Sequence, residues 1–389
     1  MDIRKRERYL YFIKKGILME CLLAMVLATL VTVRRNGYDK ESASNAVLTI
    51  EDDYIKWVDF TVSYEALCKA YEWDVDTHGT EHEICWIELL AYTASRTGGN
   101  FGKDALKIMD KGAKAISQGD ETIESLTKDM KYYTYYKEAY DAVLGGLVGE
   151  YREECVDEAG NVSYVDKYGL KGYFPLARGF DYTHYDDFGA GRSYGYQRRH
   201  LGHDMMGLVG TPIIAVESGT VEALGWNQYG GWRIGIRSFD KKRYYYYAHL
   251  RQNYPYADWL EEGSVVTAGD VIGYMGHTGY STKENVNNIE VTHLHWGLQL
   301  IFDESQKEGN NEIWVDLYPL TRFLAKHTQP AVKVEGTKEW VRTTDIVDPA
   351  VEEYEAGNSG EVRTPVREDS LKRDELLEKQ PETSESSES

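Results

Sequence analysis

The feature that most constrains the fold is a change of sequence pattern near residue 162. From there on, short β-branched and aromatic runs such as "WRIGIRS" and "SVVTAGDVIGYM" are separated by turn residues about every 8 to 12 positions. Such runs are typical of short antiparallel strands, in which alternate side chains face one side of a sheet. We therefore expect an all-β antiparallel domain over residues 160–328, with helix resuming only near residues 319–326.

Residues 50–155 follow a different pattern. Apolar residues recur three and four positions apart in "EICWIELLAYTASRTG" and "YYTYYKEAYDAVLGGLVGEY", and this part contains no proline. The periodicity predicts an all-α domain, with breaks at Gly98-Gly99 and Gly145-Gly146. Because 389 residues suffice for two or three domains, the expected fold class is multidomain, with an all-α domain followed by an all-β antiparallel domain.

One apolar segment near the N-terminus has the length of a membrane span. Residues 16–33, "GILMECLLAMVLATLVTV", are interrupted by Glu20 and preceded by a basic segment, residues 1–15. The heavier positive flank predicts a single-pass anchor in a bacterial cell membrane, with residues 1–15 cytoplasmic, a linker over residues 34–49 and the later domains extracytoplasmic. A cleaved signal peptide and a buried core helix are the alternatives, which the length of the run and its basic flank disfavour.

Charge and composition exclude some partners. The formal net charge is −20 and no sustained basic stretch offsets it, so nucleic acid is not an expected partner. Beyond residue 329 the chain is rich in Glu, Ser, Thr and Asp, with little to bury. We expect residues 329–389 to form a disordered acidic tail, with a solvated surface segment as the alternative.

Histidines and an aspartate in the β region are the candidates for chemistry. His293 and His295 lie two apart in the strand-like "EVTHLHWGLQL", so both side chains should project from one face of a sheet. His200 and Asp204 lie four apart, but nearby glycines and a proline argue against a helix, so turn geometry must bring them together. A catalytic zinc site takes three ligands of these types and leaves a fourth position for water. These residues leave open which histidine of the pair is the ligand.

Several motifs stand in a defined order between about residues 195 and 302: "HLGHD", "GTPIIAVESGTV", "YAHL", "VTAGDVIGYMGHTG" and "THLHW". In this order they resemble the lysostaphin-type zinc metallopeptidases, which cut peptides of peptidoglycan. The resemblance implies one zinc ion held by His200, Asp204 and His295, with His249 and His293 as unliganded catalytic histidines. Zinc would activate a water and polarise the scissile carbonyl. His293 would be the base and His249 the oxyanion stabiliser or acid, and the two roles could be exchanged.

Two features depart from the family pattern. His203 stands where the family usually has an apolar residue, and we interpret it as an outward-facing turn residue because alternation should point it away from Asp204. The polar segment 280–291, "YSTKENVNNIEV", is longer than the usual link and could shape substrate access. Arg198 and Arg199 could orient a carboxylate of a peptide stem, although solvated arginines are the commoner case.

The helical domain carries a fainter resemblance. "WIELLAYTASRTGGNFG" is similar to the part of lysozyme-like transglycosylases that carries their catalytic acid within Glu-Ser-Gly, but Arg96, Thr97 and Gly98 stand at that place here. The resemblance therefore implies a degenerate lysozyme-like domain that binds the wall or acts as a spacer. Glu88, one to two turns earlier, is interpreted as a solvated helix residue.

Together these observations favour a membrane-anchored zinc endopeptidase that hydrolyses peptide bonds of bacterial peptidoglycan, its expected partner. A glycine cross-bridge, a D-Ala to meso-diaminopimelate link and a stem-peptide bond are all candidate substrates. One alternative is a catalytically silent scaffold or wall-binding module, for example in a spore-envelope complex, but retention of all five site residues argues against it. A wall-binding β protein with incidental histidines would require the ordered motifs to be chance.

Overall fold

The computed structural model describes three ranges of the chain, residues 54–193, 197–307 and 311–358. The predicted cytoplasmic segment, membrane anchor and linker, which together span residues 1–49, lie outside these ranges. Within the three described ranges, no helix combines the length and the apolar character that crossing a bilayer requires. The membrane anchor therefore stays a prediction from the sequence.

Helices occupy the first part of the unit Val58–Ser389, which is distinct from Met1–Trp57. They are α1 (Tyr64–Thr77), α2 (Trp86–Thr97), α3 (Lys103–Ser117), α4 (Ile123–Thr127) and α5 (Tyr133–Leu144). α2 contributes the buried side chains of Leu89 and Leu90 to the helical core. It ends at Gly98, which has a left-handed backbone (φ 63°) and donates its N–H to the carbonyl of Ala94. Glycine adopts this conformation without strain, so the predicted break at Gly98 is confirmed.

The boundary between the helical and β regions lies earlier than the sequence predicted. α5 ends at Leu144, and β1 (Val148–Val156) pairs along its whole length with β2 (Val162–Leu170) in an antiparallel hairpin. The predicted division between residues 155 and 160 falls in the connection of this hairpin and is therefore wrong. The sequence did not predict β1 because its stretch "EYREEC" is charged and does not show a regular alternation of buried and exposed residues.

An antiparallel sheet forms the framework of the β region. Its strand order is β11 (Val265–Val266), β8 (Gly219–Asn227), β9 (Gly231–Ser238), β10 (Arg243–Ala248), β13 (His293–Leu300), β6 (His203–Met206) and β3 (Thr183–His184), and β14 (Ile313–Trp314) also pairs with β13. Smaller pairs join β4 (Gly191–Ser193) to β5 (Gln197–Arg199) and β7 (Pro212–Ile214) to β12 (Val271–Tyr274). The expected antiparallel β fold is confirmed, and β13 lies between β10 and β6, which hold it from both sides.

The two faces of β10 and β13 have different roles. Tyr245, Tyr247 and Trp296 have no exposed surface and contribute to the core. Tyr246 lies on the opposite face, where its ring centroid is 6.0 Å from that of His295. Strand alternation therefore places the packed residues on one side and the polar, ligand-type residues on the other.

A buried ion pair joins the β region to the helices. Arg243 on β10 donates to the Glu217 carboxylate through Nε (2.8 Å) and Nη2 (3.1 Å). Its Nη1 donates to the backbone carbonyls of Asp141 and Ala142 near the end of α5. Tyr245 also donates its hydroxyl to Glu217, at 2.7 Å. Since both charges are buried, the loss of either one would leave the other without compensation.

A second, apolar contact connects the same two regions. α6 (Tyr318–Leu324) is the helix expected near residues 319–326. Its Phe323 ring lies 5.4 Å from Tyr71 of α1 and 5.7 Å from Trp86 of α2, measured between centroids. Aromatic pairs at such distances add to the stability gained from burial, so α6 packs the end of the β region against the helices.

The prediction that disorder begins at residue 329 is wrong. Strands and a helix follow: β15 (Ala331–Lys333) pairs with β16 (Trp340–Arg342), β17 (Ile346–Val347) pairs with β1, and α7 (Pro349–Gly357) ends the described chain. Ile346 is 2% exposed and Trp340 packs against the same apolar cluster. Acidic composition misled the prediction, because a few apolar side chains are enough to hold this segment on the core. Residues 359–389 lie outside the described ranges.

Candidate metal centre and active site

Neighbouring strands bring the candidate ligands to one face of the sheet. In the β13–β6 pair, His295 lies directly opposite Asp204. His293, two residues earlier on β13, shares the face of His295, as the spacing of the pair predicted. His200 precedes β6 and is held in an irregular turn by backbone hydrogen bonds to Gly189 and Ala190, so turn geometry and not a helix brings it to Asp204.

The donor atoms of three residues converge. Nε2 of His200 lies 3.0 Å from Oδ1 of Asp204 and 3.0 Å from Nδ1 of His295, and the last two atoms are 2.9 Å apart. Ligands at about 2.0–2.2 Å from a tetrahedral zinc ion would lie about 3.3–3.6 Å from one another, so these donor atoms need to move apart by only about half an ångström to hold the ion. The donor set therefore fits zinc. Burial opposes ionisation of Asp204, but hydrogen bonds from His200 and His295 hold the pKa of its carboxyl well below the usual range.

The short strand β4 and the loop before it support two of these ligands. Nδ1 of His200 donates to the backbone carbonyl of Asp187 (3.3 Å) and lies 3.1 Å from its carboxylate Oδ1. Arg192 donates to the Asp187 carboxylate and, at 2.9 Å, to Oδ2 of Asp204. Such contacts orient the ligands. They leave Nε2 of His200 and Oδ1 of Asp204 directed at the candidate metal position. The sequence did not identify Asp187 or Arg192, because no spacing distinguishes them from other charged residues.

Backbone carbonyls fix the tautomers of the two candidate catalytic histidines. Nδ1 of His249 donates to the Thr278 carbonyl (3.0 Å), and Nδ1 of His293 donates to the Val291 carbonyl (2.8 Å). In the neutral rings, Nε2 is therefore the proton acceptor. The two ring centroids are 4.7 Å apart, and Nε2 of His293 lies 3.8 Å from Oδ1 of Asp204. The structure thus brings both histidines to the candidate metal ligands.

His249 has an unusual backbone conformation. Its φ of 62° lies in the left-handed region, which costs free energy for a residue with a side chain. Its N–H donates to Gly230 (2.7 Å) and its carbonyl accepts from Gly276 (3.1 Å), so the surrounding chain holds this conformation. Burial lowers the pKa of the His249 imidazole, and the neighbouring His293 lowers it further.

Glycine is required beside the His295 ring. A Cβ atom added to Gly202 would lie 2.5 Å from Cε1 and Nε2 of His295. That is well inside van der Waals contact, so a side chain at this position would displace the ring. The glycine of "HLGHD" therefore leaves room for a ligand that comes from a strand far away in the sequence.

His203 does not face outward as the sequence suggested. It does point away from the face of Asp204, but that side of β6 is covered and His203 is 2% exposed. Its Nε2 lies 2.9 Å from Nδ1 of His184, and Tyr318 packs against both rings. Burial, and then the nearby His184, lowers the pKa of His203 to about 3. The prediction was wrong because α6 and β3 cover a surface that looked like an open turn.

The polar segment 280–291 forms one wall beside the histidines. The ring centroid of Tyr280 lies 5.9 Å from that of His249. Asn285 anchors the segment, since its Oδ1 accepts from Trp232 Nε1 (2.9 Å) and from the backbone N–H of Asn253 (2.9 Å). The side chain of Arg198 donates to the Tyr280 hydroxyl. The position of this segment agrees with the expectation that it borders the site.

In the helical region, Glu88 forms an ion pair with Lys137 on α5. Arg96 and Thr97 occupy the last turn of α2, and Gly98 caps it. Glu88 on α2 is thus paired with a residue of a second helix, α5. The lysozyme-like relationship of this region stays a prediction.

Comparison with known proteins gives consistent results for the β region. Residues 198–308 match the family model described as Peptidase family M23. The L-Ala--D-Glu endopeptidase of Bacillus subtilis (strain 168) is 32% identical over 222 residues, which cover 55% of this chain and 63% of that protein. Lysostaphin of Staphylococcus simulans is 36% identical over 89 residues, or 23% of this chain and 17% of that protein. The chain therefore spans less than two thirds of either relative.

Two solved structures match parts of the chain. The crystal structure of a Ruminococcus gnavus protein, proposed to be a glycyl-glycine endopeptidase, is 22% identical with a TM-score of 0.45, and the match covers 72% of this chain and 93% of that one. The catalytic domain of lysostaphin from Staphylococcus simulans is 28% identical with a TM-score of 0.29, covering 36% of this chain and 92% of that one.

Proposed function

We propose that this chain, whose residues 198–308 form a domain of peptidase family M23 homologous to L-Ala--D-Glu endopeptidase and lysostaphin, is a zinc-dependent endopeptidase acting on bacterial peptidoglycan. The observation that carries the proposal is the convergence of His200, Asp204 and His295 beside two further histidines, whose Nδ1 atoms donate to backbone carbonyls and leave Nε2 as the proton acceptor. His200, Asp204 and His295 would hold one zinc ion. Bound there, zinc would supply a water of lowered pKa and polarise the scissile carbonyl.

The two unliganded histidines would move protons. His293 takes a proton from the attacking water at Nε2, because this atom is the acceptor of its tautomer and lies within 3.8 Å of Asp204. It then returns the proton to the leaving amine, so hydrolysis yields one new carboxylate and one new amino terminus. Since its Nδ1–H donates to Thr278, His249 donates a hydrogen bond to the developing oxyanion from Nε2 only as the imidazolium, a form that its burial disfavours. The two roles can be exchanged without changing the balance of the reaction.

Purified peptidoglycan and a chelator test the proposal. We expect the full chain to release new amino termini from peptidoglycan, to lose this activity in excess chelator and to regain it when zinc is added back. The variant His277→Gln serves as a control and should keep the activity. This imidazole lies in the same domain but donates to the Ile289 carbonyl. Protein that binds zinc but releases no amino termini from any peptidoglycan would contradict an enzyme and favour the silent scaffold.

The relatives suggest which bond to test first. The longer of the two curated matches is to a protein named for the L-Ala--D-Glu bond, and the lysostaphin match covers 89 residues. We therefore propose the stem-peptide bond as the first substrate and a glycine cross-bridge as the second. Mass spectrometry of the digestion products distinguishes these bonds from a D-Ala to meso-diaminopimelate link, because each cleavage leaves different termini.

We also propose that residues 16–33 anchor the chain in the bacterial cell membrane with the catalytic domain outside. Protease added to intact cells should then digest the β region, and alkaline carbonate should leave the chain in the membrane fraction. Extraction by carbonate, or protection from external protease, would contradict the anchor or its orientation.

A further inference from the structure

We propose that Arg198 forms, with Tyr229 and Tyr280, a binding site for a carboxylate of the peptide substrate. These three residues are called the Arg198 site below. The inference rests on the proposed endopeptidase function and specifies its substrate class: a peptide with a free carboxylate close to the scissile bond.

The Arg198 site lies next to the catalytic histidines. Arg198 is on β5, two residues before His200. Its guanidinium carbon is 5.1 Å from the ring centroid of Tyr280 and 6.0 Å from that of Tyr229. The Tyr280 ring in turn lies 5.9 Å from His249. The guanidinium therefore lies at most about 11 Å from the His249 ring, a distance that about three residues of extended peptide span.

Arg198 has no acidic partner among the residues that the structure describes, although the chain has 64 acidic residues. Several other arginines of the β region do have one, namely Arg192, Arg237 and Arg243. Its Nε is buried and makes no hydrogen bond within the described ranges. Residues 194–196, which lie outside those ranges, are Tyr-Gly-Tyr and bring no carboxylate.

A half-buried arginine without a counter-charge is poorly compensated for lost hydration. A substrate carboxylate would compensate it, because the planar guanidinium binds carboxylates through paired hydrogen bonds. The Tyr280 hydroxyl accepts from Arg198 and so orients the guanidinium. The chemistry of the Arg198 site thus favours an anion.

The second wall of the Arg198 site is preformed. Tyr280 has a left-handed backbone, with φ 48°. Its N–H donates to the Tyr229 carbonyl (3.3 Å), and its own carbonyl accepts from Asn288 Nδ2 (2.7 Å). A rigid site loses less conformational entropy when a ligand binds, so this strained residue is consistent with a recognition role.

The substrate class follows from this charge. A D-Glu residue joined through its side-chain carboxyl keeps its α-carboxylate free, and this anion would lie next to the bond cut in a stem peptide. Amidation removes the charge, and a polyglycine bridge offers no carboxylate within the chain. We therefore expect the Arg198 site to favour the unamidated stem peptide over both other substrates.

The test uses three synthetic peptides: a stem peptide with the free D-Glu α-carboxylate, the same peptide with an α-amide, and pentaglycine. The full chain with zinc should cleave the carboxylate form with kcat/KM at least about tenfold above the amide form, mainly through a lower KM. Arg198→Gln should reduce kcat/KM for the carboxylate form by about 10- to 100-fold and change the amide form by less than about twofold. Arg198→Lys should restore part of the preference.

Arg199→Gln is the matched control, because Arg199 is the exposed neighbour on the same strand and should leave the preference unchanged. Equal cleavage of the carboxylate and amide peptides by the wild type would overturn the inference, whether or not the Arg198 variants fold. So would a preference that survives Arg198→Gln in protein with normal zinc content.

Failure of the proposed function gives a different result. A wild type that cleaves none of the peptides and no peptidoglycan contradicts the endopeptidase. Calorimetry with the carboxylate and amide peptides then still decides the inference, since the Arg198 site predicts tighter binding of the carboxylate form and loss of that difference in Arg198→Gln.

Discussion

The β region and the helical region differ in how much chemistry their sequences reveal. In the β region, ligand-type residues at strand spacing converge until the donor atoms of His200, Asp204 and His295 lie 2.9–3.0 Å apart. In the helical region, periodicity predicts helices correctly, yet the acidic Glu88 is paired with Lys137. The spacing of residues in the sequence reveals a functional site when its residues lie on one strand or on adjacent strands. A regular helical pattern instead reveals which side chains pack in the core.

The largest expected effect concerns the junction of the two regions. Arg243→Met should lower the free energy of unfolding by about 3–5 kcal/mol, because Glu217 would stay buried without its partner. Urea unfolding of the full chain measures this. Lys242→Met is the matched control: its ion pair with Asp141 is partly solvent-exposed, so the loss should be about 1 kcal/mol or less. Equal losses in both variants would mean that the buried pair does not hold the regions together.

A smaller effect is expected at Gly202, which lies against the ring of the candidate ligand His295. Gly202→Ala should weaken zinc binding by about 100-fold, since overpacking against the His295 ring typically costs about 1–3 kcal/mol. Competition with a chromogenic chelator measures the affinity. Gly191→Ala is the control, because a Cβ added there meets no atom within 4 Å. Unchanged affinity in Gly202→Ala would remove His295 from the ligand set.

Removing the carboxylate that supports His200 should weaken zinc binding less than Gly202→Ala does. Asp187→Ala should reduce zinc affinity by about tenfold, because the carboxylate near His200 Nδ1 is lost while the backbone carbonyl of residue 187 remains. Asp186→Ala, a change at the exposed neighbour, should leave the affinity as it is. If both variants bind zinc like the wild type, the Asp187 carboxylate does not orient the ligand.

The helical region should show the smallest effect. Glu88→Gln removes one charge of a partly exposed ion pair and should change the free energy of unfolding by less than about 1 kcal/mol. Release of reducing ends and amino termini from peptidoglycan should stay at the wild-type level. A loss of reducing-end release would show that the helical region cuts glycan and that Glu88 is its acid.

The sequence predicted the parts of the molecule that follow local rules. Period-two spacing placed His293 and His295 on one face, and glycines marked the end of α2 at Gly98. The ordered motifs supplied the choice of His295 over His293, which spacing alone could not make. In the structure both are close to Asp204, but Nδ1 of His295 is 2.9 Å from Oδ1, whereas Nε2 of His293 is 3.8 Å away.

The errors share a physical cause, namely tertiary contacts that the local pattern does not contain. His203 is buried because His184 and Tyr318 cover it. Residues 331–357 of the acidic stretch form strands and a helix because side chains such as Ile346 pack on the core. Asp187 reaches the site from a loop and Arg192 from the short strand β4, where neither periodicity nor a motif marks them.

The most direct test of the central claim compares two histidines on the same face of β13. His295→Ala should lose both bound zinc and peptidoglycan cleavage, because it removes a ligand. His293→Ala should keep stoichiometric zinc, measured by atomic emission, and should still lose cleavage, because it removes the proton acceptor. Retained cleavage in His293→Ala, or retained zinc in His295→Ala, would contradict the division of ligand and base between these two residues.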